Sequence, residues 1–240
     1  MHRPPTVLAI GGSDPSGGAG IQADLKAIQV HGAYGMAAIA ALTVQNTLGV
    51  LSVREVEPAW LVAQVRAVLD DIPVDVIKVG MLGSPANVRA LSRAIAGFRG
   101  ALVVDPVGIA KGGRALQGED TLRALQELAG RATVVTPNLE EAWAFREGVR
   151  LIKGGHGEGE LLVDRLLDAQ GRETARWEHP RIPSVHTHGT GCTLASALAA
   201  RLACGDPLPG ACSTAICYVQ AQIAASSAGL GRGRGPLWQL

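Results

Sequence analysis

The sequence predicts an α/β protein with a mainly parallel central sheet, helices on both faces and an antiparallel extension. Short apolar, β-rich runs alternate with longer helical patterns through the first two thirds of the 240 residues. Those runs lack polar alternation, as strands covered on both faces do. The last third changes to a hairpin pattern followed by two Ala-rich helices.

TVLAIGG (Thr6–Gly12) reads as a buried strand, and a Gly-rich turn leads into the helix GIQADLKAIQVHG, which ends at Gly32. AAIAALTV (Ala37–Val44) is the next strand, and PAWLVAQVRAVLDD an amphipathic helix from Pro58. VDVIKVG (Val74–Gly80) is a strand and PANVRALSRAIAG, from Pro85, a helix. ALVVDPV, a helix across 118–130 and ATVVTPN repeat the alternation, and LIKGGH closes another strand. ELLVDRLLDAQGRETARWEHPRIP predicts a hairpin turning near Gln170–Gly171. A helix opens at HGTGC, a longer one spans about Ala211–Ala228, and GLGRGRGPLWQL reads as loop. With no linker and no internal repeat, one domain is expected over 1–240.

Composition excludes several classes. Lys plus Arg number 22 and Asp plus Glu 21, so a net charge of +1 gives no electrostatic case for nucleic acid or an anionic membrane. Aromatic residues are only 3% of the chain, too few for a base-stacking platform. Cys192, Cys204, Cys212 and Cys217 form no C-x-x-C pair, which argues against a zinc site or disulfide framework and for a reducing cytoplasm. No leader segment and no membrane span are expected.

Polar groups collect at strand ends, where parallel α/β sheets bind ligands. GGSDPSGGAGIQAD (Gly11–Asp24) can wrap a small ligand with backbone, or be an ordinary glycine turn; it is not a Walker A motif. Gln45 offers an amide suited to a heterocycle edge, unless it is merely a surface residue. Asp105 and Glu141 can share Mg²⁺ with phosphates. Asn138 and Glu141 can equally form a capping pair. Lys153 at a strand end can meet a phosphate or simply be solvated. Gly189 and Gly191 permit close backbone approach before a helix start, which favours an anion. Cys192 stands at that start, where a lowered thiol pKa is expected; the bland alternative is a buried cysteine in a tight turn. Together these features point to phosphoryl transfer to an alcohol or a phosphate.

The stretches AIGGSDPSGGAGIQADLKAIQVHGAYG, ALTVQNTLGV, IKVGML, VVDPV, VTPNLEEA, KGGH and THGTGCTL, spread over nearly the whole chain, carry a family resemblance. The sequence resembles the hydroxymethylpyrimidine/phosphomethylpyrimidine kinases of thiamine biosynthesis, within the ribokinase-like superfamily. The resemblance implies a three-layer α/β/α sandwich and ATP-dependent phosphorylation of 4-amino-5-hydroxymethyl-2-methylpyrimidine, then of its monophosphate. By the same resemblance Cys192 is the base for the hydroxymethyl group, where most of the superfamily has Asp. Gly12, Ala19, Asp24, Gln45, Met81 and Val107 would surround the pyrimidine. Asn138, Lys153 and Thr187 would contact ATP, and Gly189, Thr190 and Gly191 would cradle the transferred phosphoryl. Asp105 and Glu141 would lie near Mg²⁺, and Lys153 with Arg232 and Arg234 would help hold an extra phosphate. A cytoplasmic homodimer with no nucleic-acid or membrane partner is expected. A pyridoxine or pyridoxal kinase is the nearest alternative, and a non-catalytic pyrimidine-binding module the alternative of another class.

Two departures stand out. The family usually places a further helix between TPN and KGGH, whereas here Leu139–Val149 must cross directly, near the lower limit of about 10–12 residues for a crossover. The segment VGIAKGG has Gly108 and Gly112 where the family has bulkier residues, so a more flexible loop is expected there.

Overall fold

The computed structural model describes residues 3–107, 118–157, 159–226 and 230–239. The expectation for Gly108 and Gly112 therefore lies outside the described residues.

In chain order the elements are β1 (Thr6–Ser13), α1 (Gly20–Val30), β2 (Tyr34–Asn46), β3 (Gly49–Glu55), α2 (Pro58–Leu69), β4 (Val76–Val79), α3 (Pro85–Ala94) and β5 (Ala101–Val104). There follow α4 (Glu119–Ala129), β6 (Val134–Val135), β7 (Arg150–Ile152), β8 (Leu161–Leu167), β9 (Glu173–Pro180), α5 (Thr190–Ala203) and α6 (Leu208–Ala225). The strands form one sheet in the order β3-β2-β1-β4-β5-β6-β7-β8-β9. β2, β1, β4, β5, β6 and β7 are parallel; β3 at one edge and the β8–β9 hairpin at the other are antiparallel.

Strand alternation sends successive residues to opposite faces. Leu8, Ile10, Ile77, Val79, Leu102 and Val104 face the core shared with α2, α3 and α4. Val7, Ala9, Val76 and Val103 face α5, α6 and Ile28 of α1. The small residues of α5, with Ala195, Ala197, Ala199 and Ala200 all buried, let it lie close against the sheet. The result is the expected three-layer sandwich. β1 is flanked by β2, reached through α1 on one face of the sheet, and by β4, reached from β3 through α2 on the other. Such a switch point opens a crevice beyond the strand carboxyl ends.

One edge of the sheet differs from the sequence expectation, and the short crossover follows it. β2 is longer than Ala37–Val44 and turns through Thr47 and Leu48 into β3. GVLSVRE lacks a buried stripe, and Leu51–Arg54 are all exposed, so hydrophobic patterning gave no signal for this edge strand. Between β6 and β7 the chain crosses in turns, without a helix, and anchors itself by burying Phe145 in the α4-side core. Gln126 Nε2 of α4 donates to the Ala144 carbonyl at 2.6 Å, which ties the short crossover down. The tail described over 230–239 is coil, as expected, apart from one bridge between Pro236 and His188.

Candidate active site

The carboxyl ends of β1, β2, β4, β5 and β7 meet the first turns of α1 and α5. Gly189 is held at φ 81°, and a Cβ there would fall 1.8 Å from the Gly18 carbonyl oxygen. Only glycine fits both requirements. The α5 loop is thereby locked onto the α1 loop. No side chain caps α5, and the Thr190 N–H turns back to the Thr187 carbonyl, which leaves anion binding at this helix start to the Gly191 and Cys192 N–H groups. Thr190 Oγ1 donates to the Thr187 carbonyl at 3.3 Å, which shapes the approach to that turn.

Beneath the loop lies a row of buried charges. Lys78 Nζ donates to Asp24 Oδ1 at 2.8 Å, and the Ser196 hydroxyl donates to the same oxygen at 2.7 Å. Asp24 Oδ2 is buried with no hydrogen-bond partner. Burial favours the neutral form of both partners. For Lys78, attraction from Asp24, the Cys192 thiol and Asp105 outweighs burial and holds its proton above the ordinary lysine range. Burial pushes the Asp24 carboxyl up, against Lys78 and Ser196. The pair is ionised, because Lys78 answers to the Asp105 carboxylate as well as to Asp24.

A second pair lies one strand further on. Lys153 Nζ donates to Asp105 Oδ1 at 2.8 Å, and Thr136 Oγ1 donates to the same oxygen at 2.9 Å. Burial opposes ionisation of Asp105, but Lys153 and Lys78 overcome it and hold the carboxyl below the usual range. Burial likewise opposes charge on Lys153, and Asp105 and then Glu141 hold its proton. A Cβ on Gly191 would lie 3.4 Å from Lys153 Nζ and 3.6 Å from Asp105 Oδ2, so the α5 loop reaches this pair directly.

Cys192 sits between the two pairs. Its thiol does not have the lowered pKa expected from its place at a helix start. Burial pushes it up to about 11; Lys78 pulls it down, while Asp24 and Asp105 push it further up. Desolvation and two carboxylates therefore outweigh one ammonium and the Gly20 backbone hydrogen bond, and the thiol is protonated at neutral pH in the free protein.

The other expected site residues fall into three groups. Gly12, Ala19 and Met81 gather where β1 meets β4; a Cβ on Gly12 would touch the Met81 Sδ and Cε at 3.6 Å, and the Ala19 N–H donates to Asp14 Oδ2. Gln45 faces this group from β2. Val107, whose N–H donates to the Asp105 carbonyl, follows β5. Asn138 and Glu141 form a reciprocal pair: the Asn138 N–H donates to Glu141 Oε2 at 3.0 Å and the Glu141 N–H to Asn138 Oδ1 at 2.8 Å. This is capping-box geometry on an isolated turn. Asp24 is buried and held by Lys78 and Ser196. Sequence reasoning did not single out Lys78, Asp14, His188, Thr136 or Ser196. Lys78 had a signal, a charge inside the otherwise apolar run VIKV; Asp14 and His188 lay inside the quoted motifs.

A three-layer α/β/α sandwich with a glycine loop over two buried lysines is the architecture of the ribokinase-like small-molecule kinases. The family model for phosphomethylpyrimidine kinase matches residues 14–148 and 147–238. The hydroxymethylpyrimidine/phosphomethylpyrimidine kinase of Streptomyces coelicolor is 43% identical over 98% of this chain and 94% of its own length. The thiamine biosynthesis bifunctional protein ThiED of Geobacter sulfurreducens is 44% identical over 97% of this chain, which spans about half (51%) of that longer protein. An ADP complex of Bacillus subtilis pyridoxal kinase superposes with a TM-score of 0.87 and 32% identity, covering 98% of this chain and 97% of that one. The chain belongs to the phosphomethylpyrimidine kinase family.

Proposed function

We propose that this chain phosphorylates 4-amino-5-hydroxymethyl-2-methylpyrimidine from ATP, and then its monophosphate to the diphosphate, in thiamine biosynthesis. The observation that carries the reading is Cys192 set at the uncapped start of α5, between the Lys78–Asp24 and Lys153–Asp105 pairs. The pyrimidine would lie against Gly12, Ala19, Gln45, Met81 and Val107, with its hydroxymethyl group toward Cys192. ATP would reach Asn138, Lys153 and Thr187, and the Gly189–Gly191 backbone would receive the charge of the moving phosphoryl group. Lys153 exchanges part of its pairing with Asp105 for phosphate oxygens. Cys192, as thiolate, takes the hydroxyl proton as the new oxygen–phosphorus bond forms and the bond from the transferred phosphorus to the ADP oxygen breaks, with ADP leaving.

Mg²⁺ fits this site in the way it is commonly held, by one or two carboxylates together with phosphate oxygens and water. No cluster of three acidic, His or Cys ligands occurs among the described residues, while Asp105 and Glu141 both act on Lys153. The ion would neutralise phosphate charge.

The tail supports the second phosphorylation. Gly233 packs against the Thr47 carbonyl, and Gly235 against the ring of His186, so the segment carrying the exposed Arg232 and Arg234 borders the pyrimidine side. A homodimer is supported by the exposed apolar side chains Leu42, Val44, Leu51 and Val53 on β2 and β3, with Trp60 nearby in sequence. No helix among the described residues is long and apolar enough to cross a membrane, and a cytoplasmic location accords with the free cysteines.

A coupled ADP-release assay with hydroxymethylpyrimidine, its monophosphate and pyridoxine tests the reading. Turnover of the first two above pyridoxine is expected. Preference for pyridoxine would make the chain a pyridoxine kinase, and thermal stabilisation by ligand without turnover would make it a binding module.

A further inference from the structure

Gln45 holds its terminal amide between two partners. Its Nε2 lies 3.2 Å from His188 Nε2 and its Oε1 3.3 Å from Thr43 Oγ1. The same His188 nitrogen lies 2.8 Å from Asp14 Oδ2. Asp14 is buried, and its carboxyl group also accepts the N–H groups of Ser16 and Ala19 and the Ser16 hydroxyl. Burial opposes its ionisation, but the bonds from His188 and Ser16 prevail and keep its carboxyl below the usual range. A carboxylate only accepts hydrogen bonds. His188 Nε2 therefore carries a proton and donates it to Asp14.

That fixes Gln45. With the amide nitrogen on the His188 side, two donors would face each other. The hydrogen-bond network therefore calls for the amide turned over, with the carbonyl oxygen toward His188 and the nitrogen toward Thr43. The Thr43 hydroxyl gives its proton to the Ser13 carbonyl at 2.9 Å, so its oxygen is left to accept one amide hydrogen. The second amide hydrogen remains for a ligand. The ring of His188 cannot turn freely, because Gly18 packs so closely that a Cβ there would lie 2.5 Å from His188 Cδ2.

We infer that Asp14, His188 and Thr43 lock Gln45 as a hydrogen-bond donor, so that the pocket selects a heterocycle presenting an acceptor, such as an unprotonated ring nitrogen, at that edge. The inference rests on the reading that Gln45 lines the substrate pocket. Asp14, His188 and Thr43 are positioning residues in it, acting through Gln45.

Gln45→Glu separates donor from acceptor. It keeps an oxygen on the His188 side but has no N–H to give. The KM for hydroxymethylpyrimidine should rise roughly 5- to 150-fold, the range for leaving one buried polar group unpaired. An unchanged KM would mean that Gln45 works as an acceptor and would overturn the inference. His188→Ala, made in the wild type and in Gln45→Leu, tests the route of action. Its effect on the pyrimidine KM should exceed its effect on kcat and largely vanish in the Gln45→Leu background. Additive effects would show that His188 acts independently of Gln45, against the inference. Nitrogen NMR of the free protein supplies a readout that needs no turnover: His188 should be protonated at Nε2 and should lose that preference in Asp14→Asn. A ring protonated only at Nδ1 would overturn the lock. If the wild type fails to phosphorylate hydroxymethylpyrimidine, the proposed function fails, while the NMR result still decides the state of the lock.

Discussion

Lys78 and Asp24 form an ion pair of 2.8 Å in which each side chain is only 1% exposed. β4 supplies the lysine and α1 the aspartate, and Ser196 of α5 closes over the same carboxylate oxygen. The pair thus joins the sheet to both helices that carry the ligand loops. Charges buried this deeply need each other, because each alone would be left desolvated.

Lys78→Met should therefore destabilise the protein by about 3–5 kcal/mol, the usual cost of leaving one buried charge unpaired. Denaturant unfolding measures it. The double variant Lys78→Met with Asp24→Leu should recover much of that stability, since it removes both charges. It should not recover the rate, because the ammonium facing Cys192 is gone. Recovery of both stability and rate would reduce Lys78 to a structural residue.

Gly189→Ala tests the contact between the two loops. The substitution places an alanine at φ 81°, a backbone cost of about 1–3 kcal/mol. It also drives the new Cβ into the Gly18 carbonyl. The loops must part, so the KM values for ATP and pyrimidine should rise together. A rise confined to ATP would mean that the Gly18 side adapts without disturbing the pyrimidine pocket.

Glu141→Gln separates two roles of one side chain. Glutamine can still accept the Asn138 N–H, so the turn should survive. The negative charge near Lys153 is lost. A higher magnesium requirement in a titration of turnover is expected if Glu141 helps hold the ion; an unchanged curve would leave it as the residue that shapes the crossover turn.

Most of the sheet was legible because buried parallel strands are nearly continuous apolar runs, as in TVLAIGG and ALVV. β3 was not, because an exposed edge strand is specified by its pairing with β2 and not by burial. The site residues were legible as chemistry at strand ends, but their electrostatics were not. The expected activation of Cys192 followed from its helix start alone. Its actual state depends first on burial, and then on Lys78, Asp24 and Asp105, the last two 168 and 87 positions away in sequence (192 − 24 and 192 − 105). The Asp14–His188 contact similarly joins residues 174 positions apart. Such contacts become visible only when the strand order is known.

The raised thiol pKa changes what general-base catalysis by Cys192 must look like. Only the thiolate can accept the substrate proton. With a pKa of about 11, the thiolate fraction grows about tenfold for each unit of pH below that value. If chemistry limits turnover, kcat/KM should therefore climb steeply between about pH 7 and 9, with no plateau near neutrality. Cys192→Asp supplies a base that is already ionised across this range, so its profile should be much flatter there, and its activity relative to wild type should be best at the lower end. Cys192→Ser should lose about 10²–10⁴-fold at pH 8, the typical contribution of a positioned base. Alkylation offers an independent check. The exposed Cys217 should react with iodoacetamide before Cys192, and the Cys192 rate should rise with pH and fall when the pyrimidine is bound. A flat wild-type profile, with Cys192→Ser equally active, would mean that the hydroxyl loses its proton without help from the thiol. Catalysis would then rest on the lysines and the α5 backbone, which is feasible for a loose phosphoryl transition state governed mainly by positioning and charge.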